Sequence, residues 1–250
     1  MRNETEWRPS KYVMRDGRLH ASSDVRMVAP GSWLITDLVA ERYSAAAHHL
    51  RGGRVLDLGC GAVPLYEFYR SSAESVVCID WPGTLHEQKH LDCYADLNRG
   101  VPISGASCDT VILSDVLEHV YAHGRLIGEI ARVLRPDGAM MMNVPFLYRI
   151  HEEPNDHFRY TEFALRRMLD DAELEVLSIQ PIGGLAEVIA DLLAKALARV
   201  PVTGWFLAMA LQRSVRWLGK IPWVGGAMAR SRRVFPLGYM VIARRRAQQS

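Results

Sequence analysis

The sequence predicts an α/β fold, a mostly parallel sheet with helices on both faces, and three observations carry this. Val55-Leu56-Asp57-Leu58-Gly59-Cys60-Gly61-Ala62-Val63-Pro64 runs apolar into an acid, then two glycines one residue apart, then a proline. Such a stretch is a buried strand, a tight turn and a helix start. Glycine lets a ligand lie against the backbone, and proline costs nothing in a first helical turn. Val76-Val77-Cys78-Ile79-Asp80 is a second apolar run ending in an acid. It follows at about the twenty-residue spacing at which a βαβ unit presents an acid to a ribose. Beyond it, short apolar runs keep alternating with helical patterns, as in a parallel sheet wrapped by helices.

Each element can be justified in turn. Residues 1–30 are polar and read as irregular, with Trp7, Pro9 and Tyr12 as packing anchors. Ser32 to His49 reads as a helix, and the turn Arg51 to Gly53 leads into the first strand. Leu65–Ser71 is the next helix, Ser75–Asp80 the second strand, Leu91–Ala95 a short third, and Asp109–Ser114 the fourth. A helix over His123–Leu134 is stopped by Pro136-Asp137-Gly138, and Ala139–Val144 is the fifth strand. Thr161 caps a helix running to Ala172, with Glu162 favouring its N-terminal dipole. Leu174–Gln180 and Tyr239–Ala243 are the sixth and seventh strands. The chain divides into an N-terminal segment (1–50), a core (51–180), a helical insertion (181–236) and a last strand with a basic tail (237–250). All lie within one domain spanning 1–250.

The turn Asp57-Leu58-Gly59-Cys60-Gly61, the strand end at Asp80, Asp96-Leu97, the block Asp109 to Val120 and Leu134-Arg135-Pro136-Asp137-Gly138 stand in order along the chain. In them the sequence resembles the class I S-adenosylmethionine-dependent methyltransferases of the type 11 kind, over roughly residues 51–180. The resemblance implies a Rossmann-like, seven-stranded, mostly parallel sheet whose last strand is antiparallel, and S-adenosylmethionine as cofactor. It further implies that Asp57 faces the methionine amino group through backbone or water. Gly59 and Gly61 allow close approach, and Asp80 binds the ribose. Trp81 packs on the adenine, Asp96 and Leu97 sit at its edge and face, and Ser114 and Asp115 lie beside the methionine moiety. The main alternative, a nicotinamide-dependent oxidoreductase, is disfavoured because Pro64 stands where a dinucleotide fingerprint needs its third glycine.

Methyl transfer from a sulfonium needs donor and acceptor held in line, and a proton acceptor if the methylated group is a hydroxyl. His119, His151 and His157 are the candidates, and a neutral imidazole is a competent base near neutral pH. The loop His151-Glu152-Glu153-Pro154-Asn155-Asp156-His157-Phe158-Arg159-Tyr160 is rich in hydrogen-bonding groups without apolar periodicity. It also resembles methyltransferases associated with bacterial envelope polysaccharide synthesis, which implies O-methylation of a sugar or glycolipid hydroxyl. The acceptor is then a small molecule, a glycan or a lipid-linked species. Other small-molecule or lipid acceptors, or a catalytically silent membrane adaptor, remain as alternatives. No metal is expected. His86-Glu87-Gln88-Lys89-His90 matches the zinc-peptidase spacing but lies in a polar loop after the second strand, without apolar flanks.

Four cysteines without a CxxC pair, three in or beside strands, suit a reducing cytoplasm. Met1 to Ser10 is polar and lacks the apolar region of a signal segment. Charge is distributed unevenly: residues 1–191 hold 19 basic and 28 acidic residues, a net −9, whereas 192–250 hold eleven basic residues and no acid. Leu185 to Ala198 reads as an amphipathic helix with a narrow polar stripe of Glu187, Asp191 and Lys195, and Trp205, Trp217 and Trp223 follow. A basic, tryptophan-bearing segment over 185–233 fits an anionic membrane surface, making the protein peripheral at the inner membrane face. A substrate cap and a homodimer face are the competing readings. No nucleic-acid partner is expected.

Overall fold

The computed structural model describes residues 1–83 and 88–247. Its N-terminal segment is ordered rather than irregular, which corrects the expectation for residues 1–30. Strands β1 (Tyr12–Arg15) and β2 (Arg18–Ala21) form a hairpin. Asp16-Gly17 sits at its tip with both φ angles positive, the chemistry of a two-residue hairpin turn. Helix α1 (Trp33–Ala45) holds the hairpin, with the Ser44 hydroxyl accepting from Leu19 N–H (2.8 Å) and Asp37 from Ala21 N–H (3.3 Å). Trp7 and Tyr12 are buried anchors, and the Trp7 indole donates to the Val63 carbonyl at 3.1 Å.

The predicted alternation follows. Strand β3 (Gly53–Leu58) leads to a one-turn helix α2 (Tyr66–Tyr69), β4 (Ala73–Asp80) and the short β5 (Cys93–Tyr94). Then come β6 (Cys108–Ser114), α3 (His123–Val133), β7 (Leu134–Pro145), α4 (Glu162–Asp171) and β8 (Leu174–Ile182). The Thr161 hydroxyl caps α4 by accepting from Ala164 N–H at 3.2 Å. After the insertion, β9 (Gly238–Arg245) slots between β7 and β8, antiparallel to both. The sheet order is β5-β4-β3-β6-β7-β9-β8, with all pairs from β5 to β7 parallel. This is a mostly parallel, seven-stranded Rossmann-like sheet. One face packs on α3 and α4 through residues such as Leu126, Ile130 and Leu165, and the other on α1, α2 and the N-terminal segment. Because β4 and β6 flank β3 on opposite sides, the sheet's switch point opens at the carboxyl end of β3, where open α/β sheets bind ligands.

The insertion forms α5 (Leu185–Leu197), α6 (Gly204–Leu218) and α7 (Pro222–Ser231). In α5 the predicted polar stripe is present but faces inward. Glu187 and Asp191 are buried, Asp191 pairs with Lys195, and Leu185, Ile189, Leu192 and Leu193 are exposed. Gln212 of α6 is buried and ties the insertion to the start of α1. Its Oε1 accepts from Leu34 N–H at 2.8 Å, and its Nε2 donates to the carbonyls of Ala208 (3.0 Å) and Pro30. Gln212→Ala should strand the Leu34 N–H and cost about 1–3 kcal/mol, seen as a lower Tm. An unchanged Tm would show that Gln212 does not anchor the insertion. No helix among the described residues is long and apolar enough to cross a membrane.

Candidate functional site

The carboxyl ends of β3, β4, β6 and β7 open on a cavity of about 720 Å³, within the size range of small-molecule sites. One end is built by the turn after β3. Gly59 has a φ of 65°, and a Cβ there would stand 2.4 Å from the Val116 side chain, so packing as well as conformation requires glycine. The next glycine, Gly61, donates its N–H to Asp80 Oδ2 at 2.9 Å, while Trp81 N–H donates to Asp80 Oδ1 at 2.8 Å. A carboxylate has up to four lone-pair sites on its two oxygens, the kind of acceptor that suits two vicinal hydroxyls. Half-exposed Trp81 and buried Leu97 line the same cavity with apolar surface, so the residues present fit a nucleoside. Asp96 lines it too, and also accepts from the N–H and Nδ2 of Asn98 at 3.0 Å each, as a turn residue does.

Of the residues singled out from sequence, the cavity wall collects Gly59, Gly61, Asp80, Trp81, Asp96, Leu97, Ser114, Asp115, His119, His151 and His157. Asp57 is not among the lining residues. Its carboxylate turns beneath the glycine turn, accepts from the Tyr69 hydroxyl at 2.7 Å, and is buried. Burial pushes its pKa up to about 7 against the lowering effect of that hydrogen bond. The zinc-peptidase spacing is not assembled by the described residues. His86 and Glu87 lie outside them, and His90 is buried with its Nδ1 against the Arg2 carbonyl at 3.2 Å.

Around the turn after β6 the chain converges from distant positions. Asp115 sits at φ 56°, in the left-handed region that aspartate tolerates better than most residues. Its carboxylate binds the Asn143 amide and, at 3.1 Å, the Lys11 ammonium from the N-terminal segment. A 3-10 turn over Leu117–His119 then points Glu118 inward, wholly buried. The Glu118 carbonyl accepts from the N–H groups of His157 (2.9 Å) and Phe158 (3.3 Å), which docks the 151–160 loop on this turn. Neither Glu118 carboxylate oxygen accepts a hydrogen bond among the described residues. Burial, and then the Asp115 charge, push this carboxyl well above the ordinary carboxylate range.

Two imidazoles face that carboxylate. His119 donates its Nδ1–H to the Asn155 carbonyl at 3.0 Å, which leaves the Nε2 lone pair free, 3.7 Å from Glu118 Oε1. His151 Nε2 is also 3.7 Å from Glu118 Oε1, and its Nδ1 is 3.2 Å from Asp156 Oδ2. The contact at Nδ1 is close but misaligned for a hydrogen bond. Burial, then the neighbouring His119, hold His151 below the usual imidazole pKa. Asp156 resists the upward effect of burial because Arg159 grips it through both nitrogens (2.5 and 2.7 Å) and His151 N–H donates to it at 2.9 Å. The third candidate, His157, has an exposed ring edge-on to Tyr121.

Sequence reasoning missed Lys11 and Asn143, which hold Asp115, and Glu118, which joins His119 to His151. Asn143 had a signal, as the polar residue of the run Ala139-Met140-Met141-Met142-Asn143-Val144. Lys11 had none, since it reaches the site across 104 residues of sequence.

Residues 56–142 match the family model described as a methyltransferase domain, Methyltransf_11. A protein of Mycolicibacterium smegmatis named a probable S-adenosylmethionine-dependent methyltransferase is 28% identical over 162 residues, covering 59% of this chain and 63% of the relative. A Mycobacterium tuberculosis protein of the same description is 27% identical over 138 residues, half of each chain. The chain thus spans between half and under two thirds of the length of these curated relatives. Among solved structures, an S-adenosylmethionine-dependent methyltransferase from Mesorhizobium loti superposes with a TM-score of 0.52 at 18% identity. The match covers 85% of this chain and 100% of the other, and shows the shared fold. Residues 56–142 thus carry a methyltransferase domain on a fold shared with a solved methyltransferase, and the similarity to S-adenosylmethionine-dependent relatives indicates S-adenosylmethionine as the cofactor of that domain.

Proposed function

We propose that the chain O-methylates a hydroxyl of a sugar or glycolipid in envelope polysaccharide synthesis. The observation that carries the reading is the imidazole–carboxylate cluster of Glu118, His119 and His151, whose two histidines line the cavity that Asp80 also lines. An acceptor with an unactivated hydroxyl needs a group there that lowers or takes its proton, whereas an amine or thiolate acceptor would not. When bound, the cofactor supplies a methyl group on a positively charged sulfur. Around it, Asp80 would hold the ribose and the glycine turn would admit the backbone approach. Asp115, fixed by Lys11 and Asn143, lines the same cavity and would act as a counter-charge. The polar loop 151–160 suits a hydroxyl-rich acceptor, and its resemblance to envelope-associated enzymes supports the substrate class.

Calorimetry with S-adenosylhomocysteine, followed by methyl transfer to a cell-envelope extract, tests this. Binding without transfer to any extract fraction would favour a silent adaptor, and transfer confined to non-glycan fractions a different small-molecule or lipid acceptor. Charge-assisted hydrogen bonds are worth roughly 1.5–3 kcal/mol each, so Asp80→Ala should weaken S-adenosylhomocysteine at least tenfold in a folded protein. Asp80→Asn, which keeps one acceptor oxygen and can still hold the glycine turn, should weaken it less. Equal affinity in all three proteins would sink the ribose assignment.

A second reading concerns where the acceptor is met, and the inward polar stripe of α5 favours it. A helix that buries its charges and exposes Leu185, Ile189, Leu192 and Leu193 offers apolar surface to a partner. We infer that this partner is an anionic bilayer.

A further inference from the structure

We propose that Glu118, His119 and His151 form a binding site for a divalent transition-metal cation. Its place at the acceptor end of the cavity rests on the methyltransferase reading; the cation site itself does not. The three residues come from two loops, the turn after β6 and the segment after β7, and each offers one ligand atom within 4.8 Å of the others. Bond lengths of about 2.0–2.2 Å to nitrogen and carboxylate oxygen put neighbouring ligands of a four-coordinate ion at about 3.3–3.6 Å. Glu118 Oε1 stands 3.7 Å from Nε2 of each histidine, so a cation would draw the carboxylate and each imidazole together by a few tenths of an ångström, and the two imidazoles, whose ligand atoms lie within 4.8 Å, by up to about an ångström.

Independent evidence comes from polar atoms with no partner. Glu118 is wholly buried with both oxygens lacking a hydrogen-bond donor, and His119 Nε2 is buried and unbonded beside it. Leaving a buried carboxylate unpaired is costly, and a bound cation removes that cost. The outer groups are those that orient metal-binding histidines. The Asn155 carbonyl fixes the His119 tautomer so that Nε2 points at Glu118, and Asp156, braced by Arg159, sits behind His151 Nδ1. Two imidazoles and one carboxylate suit zinc, iron or nickel better than magnesium or calcium. The cavity side stays open, because His119 and His151 line it. A hydroxyl placed against a cation there would lose its proton to solvent more readily, and its oxygen could then take the methyl as the carbon–sulfur bond breaks.

The test uses the full chain stripped with a chelator and titrated calorimetrically with Zn2+ alone, with Co2+ absorption as a second readout. One equivalent should bind, and Glu118→Gln or His151→Ala should each weaken binding at least about a hundredfold. Asp156→Asn, behind the ligands, should weaken it about 10–100-fold. Circular dichroism checks that each variant folds, and Asp156→Asn keeps the test alive if Glu118→Gln does not. Zinc binding unaltered by these changes would place the ion elsewhere, for instance on a cysteine, and would overturn the proposal. So would the absence of any one-equivalent site. Zinc binding in a protein that ignores S-adenosylhomocysteine would leave the cation site standing while the methyltransferase reading fell, and the reverse pattern would do the opposite.

Discussion

Replacing His119 by alanine should leave S-adenosylhomocysteine affinity within about twofold of the parent while slowing methyl transfer by roughly 10²–10⁴, the contribution of a group that takes the acceptor's proton or helps it leave. The separation follows from the geometry. His119 meets the Asn155 carbonyl through Nδ1 and faces Glu118 through Nε2, whereas Asp80 holds the turn after β3. His151→Ala should act in the same direction, because its Nε2 meets the same carboxylate oxygen. His157→Ala should cost much less. Its exposed ring rests on Tyr121, and its link to Glu118 runs through the backbone N–H, which alanine retains. Single-turnover methyl transfer under saturating cofactor would rank the three. A His157 variant slower than the other two would move the chemistry off the cluster. Equal, small losses in all three would mean that the acceptor arrives already ionised or loses its proton to Asp115.

Much of this molecule was legible locally. Strands buried on both faces read as apolar runs, and the acid ending β4 fell where a βαβ unit puts it. The hairpin over residues 12–21 was missed although Asp16-Gly17 is a strong turn signal, because the polar surroundings masked it. Long-range contacts were not legible. Nothing near Lys11 says that it ends on Asp115, and nothing in the 151–160 loop says that it folds onto the Glu118 turn. Asp57 shows a limit of a different kind. Alternation along β3 gives two faces, but only the position of Tyr69 decides that this carboxylate turns away from the cavity. The same holds for α5, where the spacing of Glu187, Asp191 and Lys195 defined a stripe without saying which way it faces.

That inversion sets up the last expected result: the protein should bind liposomes containing anionic lipid and leave them as salt is added. Trp205, Phe206, Trp217 and Trp223 on α6 and α7 are exposed as well, Trp223 by as much as 78%. Not every basic residue of the tail is available. Arg216 is tied to Asp37 at 2.8 Å and Glu41 at 2.6 Å, and Arg213 lies over the Trp33 ring at 5.7 Å. The intramolecular reading, in which the tail answers the acidic part of the chain, therefore accounts for Arg216 but not for exposed Lys220, Arg230 and Arg233. A basic residue near an anionic surface contributes about 1 kcal/mol, so reversing these three should lower partitioning by about a hundredfold or more. Arg216→Glu would instead break an internal contact with α1 and register mainly in Tm. Trp217→Ser with Trp223→Ser should weaken binding even at low salt, because it removes apolar rather than electrostatic attraction. If the protein ignores anionic liposomes at low salt and sediments as a dimer that the tryptophan changes dissociate, the face belongs to a second copy and the membrane reading fails.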